Sequence, residues 1–321
     1  MGYINLKLLV LSRSLKGSDK LNDTIISPIF YMGNKKKLIN KGLIDLFPKE
    51  IDTFIEPFAG SAIVSMNVKA NNYFISDIDS NLCALYELFK TTSASAIIAH
   101  INSRIDEYGL ARERTKRNEF KDKDKIEVYK SAYMNFRSYF NKHKNTLDFY
   151  TLMFYSFSQQ FRFNSKGDFN MPCGNDCFSV KNEDYIKDGC SFFSKSNVCI
   201  KNNHYELIIQ PYIYQEIGND FIYFDPPYVE TDAVYNEKGN WDSETAANLY
   251  NNCDRLTKNN VKWALSSVLE NKGKVNSQLA YWLSLHNEYN VYSFDGFTYM
   301  ACGKGNSHAK EVLITNYLKE N

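Results

Sequence analysis

A chain of 321 residues can bury a large core, and its 38 lysines and arginines against 37 aspartates and glutamates leave no global charge to draw it to nucleic acid or to a membrane surface. Its seven cysteines, an odd number without CxxC pairing, argue against a secreted disulfide framework and a four-ligand zinc site. Reduced thiols, a cytoplasmic setting and no bound metal are expected. No apolar run approaches the roughly 18 to 20 residues that a membrane span requires, so no membrane partner is expected.

Residues 1–25 match no motif and read as an N-terminal extension. From Ile51 to Phe89 the pattern alternates: "DTFIEPFAG" reads as strand and tight turn, "SAIVSMNVKA" as helix, "NYFISDID" as strand and "NLCALYELFK" as helix. That is the rhythm of parallel βαβ units. From Thr91 to Phe149 strand signals give way to charged helical periodicity. They return from Val198 in "NVCIKN", "FIYFDPPY", "KWALSSV", "NVYSF" and "KEVLITNY". One α/β sheet is therefore expected in two parts, 1–90 and 191–321, with residues 91–190 inserted between them.

The turn "EPFAGSA" places Gly60 between a strand and a helix, where backbone amides can meet a ligand. Asp77 ends the next strand, the position from which an acid accepts hydrogen bonds from ribose hydroxyls. A plain tight turn with an exposed acid is the bland alternative. The triple-glycine pyrophosphate fingerprint is missing, which disfavours NAD and favours S-adenosyl-L-methionine.

In "FIYFDPPYVE" a core-like strand ends in an acidic, stiff, aromatic tip. Proline lacks an amide hydrogen and holds its predecessor extended, so Asp225, Pro226 and Pro227 leave the sheet as a rigid segment with unpaired carbonyls. The Asp225 carboxylate and the Pro226 carbonyl can accept both hydrogens of an exocyclic amino group, and Tyr228 offers a face on which a base can stack. An aromatic amine is a poor nucleophile because its lone pair is delocalised; two fixed acceptors favour the geometry that points the lone pair outward. An edge-strand proline turn without chemistry is the alternative.

Taken in order, "FYMGNKKKL", "FIEPFAGSAIV", "SDID", "FRFNSKGDFNMPCG", "FIYFDPPY" and "EVLITNY" resemble the Dam-type (D12 class, alpha-group) DNA adenine methyltransferases, from Ile29 to Tyr317. The resemblance implies a Rossmann-like class I methyltransferase fold. Its seven-stranded, mostly parallel sheet carries an inserted, mainly helical target-recognition domain over 91–190, with a β-hairpin at about 158–174. It implies methyl transfer from S-adenosyl-L-methionine to the exocyclic amino group of adenine in double-stranded DNA after base flipping. It places Tyr31, Gly33, Lys35, Glu56, Phe58, Gly60, Asp77, Ile78 and Asp225 around the cofactor, with Phe58 and Ile78 flanking its adenine and Lys35 on its carboxylate. A lysine run at a helix start is otherwise a solvated face. A monomer near the nucleoid of a bacterium or phage host, with a cognate restriction endonuclease as a possible partner, follows from the same likeness.

Two segments are candidates for reading DNA. Ala111 to Lys144 is rich in basic residues and is either a phosphate-contacting surface or an ordinary solvated helical one. In the hairpin, "NSKGD" is a turn whose glycine can take positive φ, flanked by alternating "FRF" and "FNM". The candidate contacts are Gln160, Arg162, Asn164, Lys166, Asn170 and Pro172. Arg162 can grip a guanine edge through two hydrogen bonds, or serve instead as a phosphate or internal ion-pair partner. Phe30, Gln160 and His204 depart from the GATC-methylating branch, which leaves another recognition sequence open; His204 is read as a satisfied surface histidine. Other functions remain open too: an amino methyltransferase of RNA or protein glutamine, a catalytically silent DNA-binding specificity subunit, and a nucleotide-binding oxidoreductase.

Overall fold

The computed structural model describes residues 13–14, 24–114, 123–215, 218–228, 241–271, 273–298 and 308–320. Nine strands form one sheet: β1 (Arg13–Ser14), β2 (Thr53–Glu56), β3 (Asn72–Asp77), β4 (Val198–Asn202), β5 (Phe221–Phe224), β6 (Lys262–Asn271), β7 (Lys274–Val275), β8 (Asn290–Thr298) and β9 (His308–Thr315). Their order is β1-β8-β9-β6-β5-β2-β3-β4, with β7 pairing β6. The seven longer strands are the sheet expected from the sequence. The two-residue β1 and β7 are additions, and β1 pairs in parallel with β8 through Arg13 and Ser14.

From β4 across to β6 every pairing is parallel, whereas β9 runs antiparallel to both β6 and β8. Parallel strands are covered on both faces and so read as continuous apolar runs, which is why β5 is Phe-Ile-Tyr-Phe with all four residues buried. Alternation decides the face. Phe54, Phe221 and Tyr223 join the core on one side of the sheet, while Ile55, Ile222 and Phe224 join the core on the other.

Ten described helices pack on these faces: α1 (Lys36–Asn40), α2 (Ile63–Asn67), α3 (Ser80–Thr91), α4 (Ala94–Tyr108), α5 (Lys123–His143), α6 (Thr146–Tyr155), α7 (Val180–Phe193), α8 (Tyr205–Tyr214), α9 (Ser243–Lys258) and α10 (Ser277–Leu285). The helix expected over residues 61–70 is shorter, because Val68 turns extended and the Asn67 side chain bonds the Ile25 backbone, pinning the helix end to the incoming chain. Helix starts carry side-chain caps where the sequence supplies them, at Asp79, Ser93, Asn145, Asp242 and Asn276. Among the described residues no helix is long and apolar enough to cross a membrane.

Helices α3 to α7 all lie between β3 and β4 in sequence, and their apolar faces share one core with the first βαβ unit. Within this group the buried Asp148 binds His100 and Arg104, each at 2.8 Å, and so ties α6 to α4. The expected hairpin is present in outline only. Two isolated bridges, Ser156 with Cys173 and Phe163 with Phe169, frame a turn in which Gly167 takes φ 76°. A continuous ladder is missing because the aromatic side chains pack inward on Phe140 and Phe149, and α5 takes up backbone groups of the return strand. Gly174 closes the base of the loop, where a Cβ would collide with the Ser156 carbonyl.

Candidate active site

The chain order reverses between β2 and β5, so the C-terminal ends of these neighbours open a crevice at the edge of the sheet's switch point. Asp225 follows β5 directly. Its Oδ1 lies 2.7 Å from Nζ of Lys35, the residue that caps α1 and is only 5% exposed. The same ammonium donates to the Gly33 carbonyl at 3.2 Å and to the Tyr228 hydroxyl at 3.0 Å. An ammonium has three donors, and these partners engage all three, so a cofactor carboxylate would have to displace one of them. Gly33 reaches this position with φ 78°, a left-handed conformation natural to glycine.

Charge in this cluster is set by competing effects. Burial, the largest influence on Lys35, would lower its pKa, but Asp225, Glu311 and Tyr223 together hold it above the ordinary lysine value. Asp225 is pushed up by burial and pulled back by the Lys35 charge and by its contacts with Lys35 and Tyr228. The Lys35 charge thus favours the ionised form of Asp225 against burial, the largest influence on it. Glu311, 5% exposed on β9, completes the cluster and is itself pushed up by burial, with Lys35 opposing. Sequence reasoning missed it. The signal available was an acid directly before the apolar run of Val312, Leu313 and Ile314.

The cofactor-type residues assemble beside this cluster. The Gly60 amide donates to Oδ2 of Asp77 at 2.9 Å, and the Asp79 amide to Oδ1 at 2.9 Å. Burial pushes the Asp77 carboxyl up to about 6 against these amide bonds. Tyr31 lies over Gly60, where an added Cβ would stand 3.1 Å from its ring, and that ring is also 5.9 Å from Phe161 of the hairpin. Tyr31 thus joins the glycine turn to the hairpin loop. Glu56 is buried at the end of β2 and accepts from the amide and hydroxyl of Ser65; burial lifts it to about 8. Phe58 stacks on Tyr205 at 5.1 Å, while the neighbouring Ile78 side chain is 55% exposed at the mouth of the crevice. Behind the tetrapeptide, Pro226, Pro227 and Tyr228 line a small cleft with Trp241, Tyr250 and Asn276.

The six candidate DNA contacts all lie on or beside the loop. Arg162 is exposed and its Nε donates to Oδ1 of Asn170 at 2.9 Å. Asn164 accepts from the Lys166 and Asp168 amides and shapes the turn, leaving Lys166 exposed at its tip. The Gln160 amide group donates to the Ser158 carbonyl, and the carbonyl of the exposed Pro172 accepts from the Phe157 amide. In the basic stretch 111–144, residues 115–122 lie outside the described residues. Arg112, Arg114, Lys125, Lys130 and Lys144 pair with Asp106, Asp176, Glu113, Glu127 and Asp168, so much of that stretch is a neutralised surface. His204 caps α8 with its ring 4.8 Å from that of Tyr205.

Comparison with known proteins points the same way. The chain is 36% identical over 312 residues to Type II methyltransferase M.FokI of Planomicrobium okeanokoites, covering 94% of this chain and 44% of that protein. It is 32% identical over 303 residues to Modification methylase StsI of Streptococcus sanguinis, covering 91% and 43%. Modification methylase LlaI of Lactococcus lactis subsp. lactis is 29% identical over 325 residues, covering 95% and 47%. The chain thus spans less than half the length of each of these relatives. Residues 31–300 match one family along a stretch that begins at Tyr31 and takes in the glycine turn, the hairpin and the DPPY tip, and the chain belongs to that family, the D12 class N6 adenine-specific DNA methyltransferases.

Proposed function

We propose that this chain transfers a methyl group from S-adenosyl-L-methionine to the exocyclic amino group of adenine in double-stranded DNA, with the target base turned out of the duplex. The observation that carries the reading is the Asp225 carboxylate at the C-terminal end of β5, engaged through Oδ1 by a buried lysine and followed by two prolines. Oδ2 and the Pro226 carbonyl then serve as the two acceptors for the amino hydrogens. The Lys35 charge favours the ionised, acceptor form of the carboxylate against its burial.

The residues fit the cofactor. The Asp77 carboxylate accepts the Gly60, Ile78 and Asp79 amides, and a ribose hydroxyl would add to these as a further donor. Ile78 and Phe58 offer apolar surface for the adenine, and Gly60, without a Cβ, lets the Tyr31 ring lie against the glycine turn. When bound, S-adenosyl-L-methionine supplies an electrophilic sulfonium methyl group. Asp225 and Pro226 orient the amine so that its lone pair faces outward, and the stiff tetrapeptide holds that geometry without reorganisation. After transfer the nitrogen is positively charged and strongly acidic, so its proton passes to Asp225 or to water. Extruding the base costs a few kcal/mol, roughly, which contacts from the recognition loop offset.

A single copy acting on duplex DNA, in the cytoplasm beside the nucleoid, accords with this reading. The relatives' names, which include modification methylase, support a place beside a cognate endonuclease. Because the relatives are longer, the test uses the chain alone. Plasmid DNA is incubated with the protein and isotopically labelled cofactor, and the nucleosides are analysed by mass spectrometry. Labelled N6-methyladenine is expected. Label found only in RNA or in protein glutamine, or no label at all, would overturn the proposal.

A further inference from the structure

One face of α5 holds the return strand of the recognition loop. Tyr133 and Arg137 both donate to the Met171 carbonyl, each at 2.8 Å. Asn141 makes a two-point bond to Phe169: its Oδ1 accepts from the Phe169 amide at 2.8 Å, and its Nδ2 donates to the Phe169 carbonyl at 3.1 Å. A carboxamide used this way stands in for a neighbouring strand and adds to the loop's own backbone bonds, from the Asn164 amide to the Asp168 carbonyl and from the Asn170 amide to the Arg162 carbonyl. The Phe169 ring is buried against Phe140, Phe149 and Phe163.

Asn170 lies between the two clamped residues. Its amide donates to the Arg162 carbonyl at 3.0 Å, and its Oδ1 accepts from Arg162 Nε at 2.9 Å. A guanidinium is planar, so fixing Nε fixes the direction of the two terminal Nη groups, and Arg162 presents them at an exposed end. A two-bond contact to a base edge tolerates a misalignment of only about 10–20°. The aim of the guanidinium therefore depends on where Asn170 stands, and that depends on Asn141.

We propose that Asn141, a helix residue outside the groove-reading loop, sets the aim of Arg162 through Phe169 and Asn170 and thereby determines discrimination at one guanine of the recognised sequence. The proposal rests on the functional reading above. Asn141 touches no base and is a positioning residue. A purely structural role would lower methylation of every sequence alike, whereas a positioning role acts on preference and vanishes once Arg162 is removed.

The recognised sequence is first read from the positions of N6-methyladenine in DNA modified by the chain. Values of kcat/KM are then measured on duplexes carrying that sequence and on duplexes with each guanine replaced. Asn141→Ala, and Asn141→Asp, which keeps the oxygen for the Phe169 amide but removes the Nδ2 donor, are expected to lower the preference for guanine at one position by about 10-fold while leaving the rate on the substituted duplex unchanged. Arg162→Ala removes that preference, and Asn141→Ala added to it causes no further loss. An equal loss on all duplexes, or a further loss of preference in the double variant, overturns the proposal. Should thermal unfolding show Asn141→Ala to be unfolded, Asn141→Asp carries the same test with the same overturning result. If the unaltered chain methylates no adenine, the functional reading falls and this inference falls with it.

Discussion

Lys35 and Asp225, 190 positions apart, meet at 2.7 Å where α1 abuts the end of β5. The contact makes the lysine part of the proposed acceptor site as well as a neighbour of the proposed cofactor crevice. Replacing Lys35 by methionine keeps the buried stem and removes the charge. Asp225 then loses the influence that opposes its burial, and its pKa rises further. Because the ionised form is the acceptor, activity is retained above that pKa and lost below it. The acidic limb of the kcat profile is expected to move to higher pH by about a unit or more. An unshifted limb would show that Lys35 does not govern Asp225.

Asp225→Asn tests the acceptor with little change of shape. One carboxylate oxygen becomes an amide donor, which faces either the Lys35 ammonium or the incoming amine. Turnover is expected to fall by about 10²–10³ or more, as when a preorganised polar contact to a reacting group is lost. Duplex binding measured by fluorescence anisotropy should remain within a few-fold, because the loop that carries Arg162 is separate from the tetrapeptide. Retention of near-normal turnover would remove Asp225 from the chemistry.

Much of this site was readable locally. The apolar "FIYF", the prolines after it, and the strand-turn-helix around Gly60 carry their geometry in a few adjacent residues, and the structure has β5, β2 and α2 there. What was not readable depends on sheet order. Glu311 comes near Lys35 because β9 pairs antiparallel with β6, a pairing that the local pattern "EVLIT" does not encode. The loop shows the same limit in reverse. Alternation in "FRF" and "FNM" suggested a ladder, but Asn141 and Arg137 act on backbone groups 28 and 34 residues away, and helical periodicity marks them only as residues of a helix. In the lysine run, pattern alone gives three equivalent cations; burial separates Lys35 from the exposed Lys36 and Lys37.

Asp77 gives a pH signature for cofactor binding. Its carboxyl sits at about 6, raised by burial against the amides of Asp79 and Gly60. If ribose hydroxyls donate to it, the ionised form binds better, and affinity should weaken as pH falls through about 6. Asp77→Asn should bind more weakly at neutral pH and lose most of that dependence. Isothermal titration with S-adenosyl-L-homocysteine between about pH 5.5 and 8 measures both effects. Parallel curves for the two proteins would exclude Asp77 from the ribose contact.

Glu56 connects the site to the stability of the whole fold. Burial lifts its carboxyl to about 8, while the Ser65 amide and hydroxyl stabilise the charged form only in part. A folded-state pKa raised above the unfolded value means that the native protein binds this proton more tightly. Its contribution is fully present below about pH 4.5 and is lost as pH climbs through about 8. Glu56→Gln keeps an oxygen for Ser65 and has no charge to bury. Without cofactor, the two proteins should unfold at similar temperatures near pH 5, and the variant should unfold higher near pH 8, by roughly 2–6 °C for a chain of this size. The difference between the two curves isolates this group from the other carboxylates, whose titration is common to both. If scanning fluorimetry gives a constant difference across that range, Glu56 is already ionised in the folded protein, and the crevice holds one more negative charge beside Asp77 and Asp225 than proposed.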